Sequence, residues 1–198
     1  MDAAQREMPA PRAGLSGAWD RFIGPGATPA EQALGWIGAL GVSLAVLAYA
    51  LLANPGWSLL QVIVLEVIAF DIGGGVVVNA TGAAKRWYHR PGQGMAQHLG
   101  FVALHLHPFV IAWLFRDGAW LWAAGIYGWL IASTVLIGLV PTAIKRPLAL
   151  LLALVGILAD ALLAAPLAGL GWFVPLLGIK LLVSHLVPEE PYGPVGAR

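Results

Sequence analysis

Residues 70–80 read "FDIGGGVVVNA", which places Asp71, three consecutive glycines and Asn79 inside a run otherwise apolar enough to cross a bilayer. An ionisable group at membrane depth is costly and marks function by default. Glycine is among the poorest helix formers. Two readings of the glycines are open. They form a seam that lets a neighbouring helix approach closely, or they loosen the helix beside Asp71 and expose carbonyls to a ligand, as broken helices do in carriers.

The segments on either side decide the fold class. Of 198 residues, 59% are apolar and only 11% charged, against roughly 25% charged in soluble domains. Mean hydropathy is +0.79. Apolar windows of about 20 residues predict six spans: 34–53, 57–79, 96–115, 119–140, 148–170 and 172–187. Turn signals separate them, "NPG" at 54–56, "RDG" at 116–118 and the proline-bracketed basic loop "PTAIKRP" at 141–147. The weakest boundary is "LAGLGW" at 167–172. The expected fold is all-α, a polytopic integral membrane bundle of about six transmembrane helices. Residues 1–32 read as a flexible cytoplasmic tail, 33–188 as the transmembrane domain, and 189–198 as a short cytoplasmic tail.

Charge sets the expected orientation. With the N-terminus inside, the cytoplasmic side receives Arg6, Arg12, Arg21, Lys85, Arg86, Arg90, Lys145, Arg146 and Arg198, and the opposite side only Arg116. That is the positive-inside pattern. It predicts a multi-pass protein of the inner (plasma) membrane with both termini cytoplasmic. No short apolar core follows the early arginines, so the start reads as a signal anchor, not a cleavable signal peptide. The stretch "GLSGAWDRFIG" at 14–24 is short for a surface helix. The net charge of +1 gives no basis for nucleic-acid binding. The absence of cysteine excludes disulfides and thiolate metal sites.

Helical rise gives depth. Asp71 lies eight residues before Asn79 on the descending second span, about 12 Å above the cytoplasmic face, and His105 sits about 13 Å up the ascending third span. His98 is level with Asn79. Asp71, Gly75 and Asn79 share one stripe, and His98, Val102 and His105 share another. Lys180, about 10 Å up the last span, is within reach of Asp71. The candidate polar or proton site is therefore Asp71, Asn79, His98, His105, Lys180 and His185. Glu66 and Asp160 lie higher, about 20 Å up, and could close an interior network. Pro108 in "HLHP" should kink the third span. His105 and His107 point about 200° apart on a helix, so His98 with His105 is the expected pair.

The loop "TGAAKRWYHRPGQG" at 81–94 carries Lys85, Arg86, His89 and Arg90 among aromatic residues, either as an inside-positive anchor or as a lipid-headgroup site. The sequon Asn79-Ala80-Thr81 is discounted because it faces the cytoplasm. HExxH, GxSxG and Walker-type motifs are absent.

Three functional readings follow. The first is a small proton-coupled or solute transporter, since titratable groups strung through the membrane resemble a proton path. Carriers can assemble from two copies, so a homodimer fits this reading. The second is a membrane-embedded hydrolase of a lipid-like substrate, whose divalent metal would be held by His98, His105 and Asp71, with His185 a further candidate ligand. Its weakness is that His98 and His105 stand about 10 Å apart along a helix axis. The third is a non-catalytic accessory subunit whose polar network holds the helices together. A bis-His haem would need His105 or His107 opposite His185. The transporter is the preferred expectation.

Overall fold

The computed structural model describes residues 9–188. Expectations resting on Arg6, on Arg198 and on the tail at 189–198 lie outside the described residues. Those residues are helical throughout their ordered elements, with no strand among them. Five segments are long and apolar enough to cross a membrane: Pro29–Leu52 (α2), Leu59–Val78 (α3), Met95–Phe115, Trp120–Leu139 (α7) and Thr142–Leu163 (α8). This architecture is compatible with an integral membrane helical bundle. Leucines exposed along α8, such as Leu150, Leu151 and Leu158, form an apolar surface suited to lipid.

Part of the region expected as a flexible tail is structured. Gly14–Ile23 forms helix α1. Arg12 clamps its Asp20 through backbone and guanidinium bonds, with Nη2 to Oδ1 at 2.7 Å. The α2 helix starts at Pro29, four residues ahead of the expected boundary, because Thr28 and Glu31 form a capping box with proline at the first helical position. Glu31 also accepts from the Ala83 amide at 3.1 Å, tying α2 to the short helix Gly82–Tyr88 (α4).

The α3 helix runs unbroken through Gly73–Gly75, so the glycines act as a seam. A Cβ on Gly73 would stand 2.5 Å from the Gly38 carbonyl oxygen, and one on Gly38 would stand 2.7 Å from that of Gly73. The backbones of α2 and α3 cross where neither carries a side chain.

The third apolar segment divides into Met95–Ala103 (α5) and His107–Phe115 (α6). The expected kink at Pro108 is a full interruption. Proline lacks the amide that would bond back to Leu104, but it is well placed in a first turn. The chain therefore leaves the helix at Leu104 and restarts with Pro108 in the new N-terminal turn. The carbonyls freed by the break are satisfied: Phe101 accepts from the His105 ring at 2.8 Å, and Ala103 from the Tyr127 hydroxyl at 2.9 Å.

The expected fifth span, 148–170, is displaced. The α8 helix begins at Thr142 and ends at Leu163. The last apolar segment is short: Phe173–Gly178 (α9) continues directly into a π-helix, Ile179–His185. Its length falls below what a bilayer core requires. It is nonetheless the most enclosed part of the bundle. Phe173, Leu177, Lys180, Leu181, Leu182 and His185 are all at most 2% exposed. Trp129 of α7 fits against Gly178 of α9 and Gly156 of α8, where any larger side chain would collide with its ring. The final segment is thus a central post.

Candidate functional site

The post delivers Lys180 to Asp71. The Lys180 Nζ donates to Asp71 Oδ2 at 2.5 Å, the contact that the matched depths allow. Its stem crosses α3 over Gly75, where a Cβ would lie 2.3 Å from Lys180 Cε. Gly73 and Gly74 therefore seat α2, and Gly75 leaves the passage for Lys180. On the other side, His107 Nε2 stands 3.5 Å from the same Oδ2. The His105 ring lies 5.4 Å from that of His107.

The expected pairing of His98 with His105 does not form. His98 Nδ1 is 3.1 Å from His185 Nε2, while His105 bonds to Phe101 and adjoins His107. The reason is the break: leaving the helix at Leu104 removes the phase relation that placed His98 and His105 on one stripe. It also turns His107, excluded by the 200° argument, toward Asp71. Two clusters result. Asp71, Lys180, His107 and His105 make one. His98, His185 and His89 make the other, with His89 Nε2 donating to the His185 carbonyl at 2.9 Å.

These positions also separate the expected metal ligands. Asp71 belongs to the first cluster and His98 to the second, and no group of three His, Asp or Glu side chains among the described residues converges to hold a divalent metal. The alternative haem pair is not assembled either: His185 is engaged by His98 and stacks at 3.9 Å on Phe101. Glu66 and Asp160 do not join the Asp71 group. Glu66 accepts from the Ser43 hydroxyl, and Asp160 from the Trp122 indole at 2.8 Å.

The basic loop is likewise divided. Lys85, on α4, is buried and donates to the carbonyls of Ser184 and Val187, closing the end of the π-helix. Arg90 lies 3.6 Å over the Trp87 ring, and Arg86 flanks Gly82 together with Glu31. Burial, reinforced by the neighbouring His98, pushes the His89 imidazole down to about 4, so it is uncharged at neutral pH. The loop's side chains thus divide between contacts with their own protein, at Lys85, His89 and Arg90, and exposure, at Arg86.

Asp71 borders a cavity of about 390 Å³ between α1, α2 and α3. Its walls are aromatic: Trp19 stacks on Trp36 with centroids 5.6 Å apart, and Trp36 meets Phe70 edge-on at 5.9 Å. Lys180, His105 and Asn79 reach the same space. Asn79 is 6% exposed, and its amide nitrogen has no partner among the described residues. Sequence reasoning missed His107 and the aromatic wall. The first was legible in "HLHP", had proline been read as restarting the helix. The second required knowing that α1 folds back over α2. Comparison with models of known protein families, with curated proteins and with solved structures finds no match for this chain.

Proposed function

We propose that the chain is a small proton-linked carrier, with the cavity beside Asp71 as its solute site and the Asp71–Lys180 pair as its proton-responsive element. One observation carries this reading: a carboxylate bound to a buried ammonium forms part of the wall of a largely apolar chamber. A carboxylate, an ammonium and two imidazoles within contact of one another can exchange protons without helix distortion. The hydrolase alternative lacks the geometry it needs, because its ligands are divided between two clusters.

The same reading takes the α9 post and its π-helix as a sixth pass, shortened and enclosed by the others. On this reading, which the positive-inside pattern supports, α4 and both termini are cytoplasmic and the cavity lies in the cytoplasmic half. The bilayer is the partner this surface implies, and assembly from two copies remains part of the proposal.

The test is reconstitution into liposomes loaded with a pH-sensitive dye, challenged with a quaternary ammonium, a sulfonate and a zwitterionic amphipath in turn. At least one should drive proton movement that Asp71→Asn abolishes. Proton movement with none of them, or movement unchanged in Asp71→Asn, overturns the carrier reading.

A further inference from the structure

We propose that the cavity takes a lipophilic organic cation, and that the cation's arrival releases the proton of Lys180. This rests on the cavity being the carrier's solute site and deepens that reading by naming the solute class and the exchange.

The first argument is presentation. The Asp71 side chain is 37% exposed and that of Lys180 only 2%. Both protein contacts of Asp71 fall on Oδ2, which leaves Oδ1 without a partner among the described residues. Lys180 reaches the same chamber across Gly75 but is almost wholly covered. An occupant therefore meets more carboxylate than ammonium, and the ammonium is already engaged by Asp71 Oδ2. An anionic occupant would find the less exposed of the two charges.

The second argument is the wall. Indole and phenyl faces attract cations through their ring quadrupoles, and more strongly where water is excluded. Trp19, Trp36 and Phe70 form a continuous aromatic face on the chamber that Asp71 also borders. Trp36 and Phe70 are also partly exposed on the outer surface of α2 and α3, where a membrane-dissolved solute would enter. Asn79 adds a polar point about 12 Å from Asp71 along α3. Its Nδ2, without a partner among the described residues, is a donor, which water or an acceptor group carried by the occupant would satisfy, not the cationic centre.

Charge balance fixes the exchange. The groups facing Asp71 are Lys180 from the π-helix, His107 from α6 and His105 from the α5–α6 break. Among the described residues, the only other carboxylate on the chamber is Glu31 of α2, which bonds to the amides of Thr28 and Ala83. When a cation takes the charge of Asp71, Lys180 is left buried without a counter-ion, and its neutral form becomes the stable one. The N–H bond of the ammonium breaks, its electron pair stays on nitrogen, and the proton passes to water. One cation enters and one proton leaves, so the charge of the site is unchanged.

Equilibrium dialysis of the full chain in non-ionic detergent, with tetraphenylphosphonium as probe, tests this. Affinity should rise about tenfold per pH unit, the linkage expected when one proton is released. It should fall at least tenfold in Asp71→Asn and hold in His98→Gln. Tetraphenylborate, the same shape with opposite charge, should show no saturable binding. Addition of the phosphonium to wild-type protein in weakly buffered medium should release one proton per cation bound, a measurement independent of whether any variant folds. Saturable borate binding that displaces the phosphonium, pH-independent phosphonium binding, or no proton release overturns the proposal. Phosphonium binding without proton movement in liposomes would keep the cation site and remove the carrier. Proton movement driven only by the sulfonate would keep the carrier and remove the cation site.

Discussion

The two histidine-bearing clusters use similar residues for different ends. Around Asp71, a carboxylate and a buried ammonium hold opposite charges 2.5 Å apart beside an open chamber. Around His185, the imidazoles bond to one another and to backbone, Phe101 stacks on the ring, and Lys85 caps the carbonyls that end the π-helix. The first cluster keeps charge at the wall of the chamber. The second joins the α4 loop to the central post and spends its polar groups inside the protein. Depth and the imidazoles do not distinguish them. The carboxylate does, together with the larger chamber, about 390 Å³ beside Asp71 against about 150 Å³ beside His89 and His98.

The largest effect that could break this contrast is on stability. Asp71→Ala leaves Lys180 enclosed without a counter-charge, which should cost about 3–5 kcal/mol, and replacing both residues as Asp71→Ala/Lys180→Met should restore much of it. Denaturant titration of the detergent-solubilised variants measures both. A loss below about 1 kcal/mol for the single change would place the pair in effective contact with water, and the clusters would no longer differ in kind.

The glycine seam comes next. At Gly73 a methyl group meets the Gly38 carbonyl, a backbone atom that cannot rotate away, whereas at Gly75 it meets the flexible end of Lys180. Gly73→Ala should therefore part α2 from α3 and cost about 1–3 kcal/mol. Gly75→Ala should cost less but displace Lys180 from Asp71. Stability and phosphonium affinity, measured on the same two variants, should rank them in opposite orders. The same ranking in both assays would mean that the three glycines do one job.

The bundle was legible in the sequence because apolar length is a global property: all of the expected spans but the fifth recur within about five residues of their helical segments. The Asp71–Lys180 contact was legible because Asp71 lies on an unbroken α-helix, where 1.5 Å per residue measures depth directly, and the long lysine side chain spans the gap although its own turn is π-helical. Wherever the ladder breaks, that reasoning stops. The interruption at Leu104 set His105 and His107 on a new phase, and Ala164 began a loop inside the expected fifth span. The π-helix widened the last turn, so Lys85 could reach Ser184 and Val187 from another element. The seam was half legible: "GGG" announces close packing, but its partners Gly35 and Gly38 are spaced among residues of no special character.

A smaller effect separates the clusters by role. His98→Gln removes the ring contact with His185 at 3.1 Å, a neutral hydrogen bond worth about 1 kcal/mol. The variant should melt a few degrees lower in detergent while binding phosphonium normally and moving protons at the wild-type rate. A variant that kept its melting temperature but lost proton movement would transfer His98 to the solute pathway and merge the two clusters.

The smallest effect is a slope in pH. Burial holds His89 at about 4 in the folded protein, against an ordinary 6.5. As pH falls from neutrality the unfolded chain takes up this proton first, so stability rises with pH throughout the interval. The contribution of His89 is fully present above about 6.5, declines as pH drops through the window, and stops changing below about 4. Asp20 cannot produce that slope, because its folded value of about 2, held down by the hydrogen bond from the Arg12 side chain, and its ordinary value of 3.8 both lie below the window. Melting temperatures at pH 7.5, 6.5, 5.5 and 4.5 for wild type and His89→Gln isolate the effect by difference. Removing the imbalance should flatten the variant's curve relative to wild type in this window alone. Parallel curves would mean that the His89 ring is as well solvated folded as unfolded. The second cluster would then lose its claim to hold the His89 ring away from water, and with it the clearest contrast to Asp71.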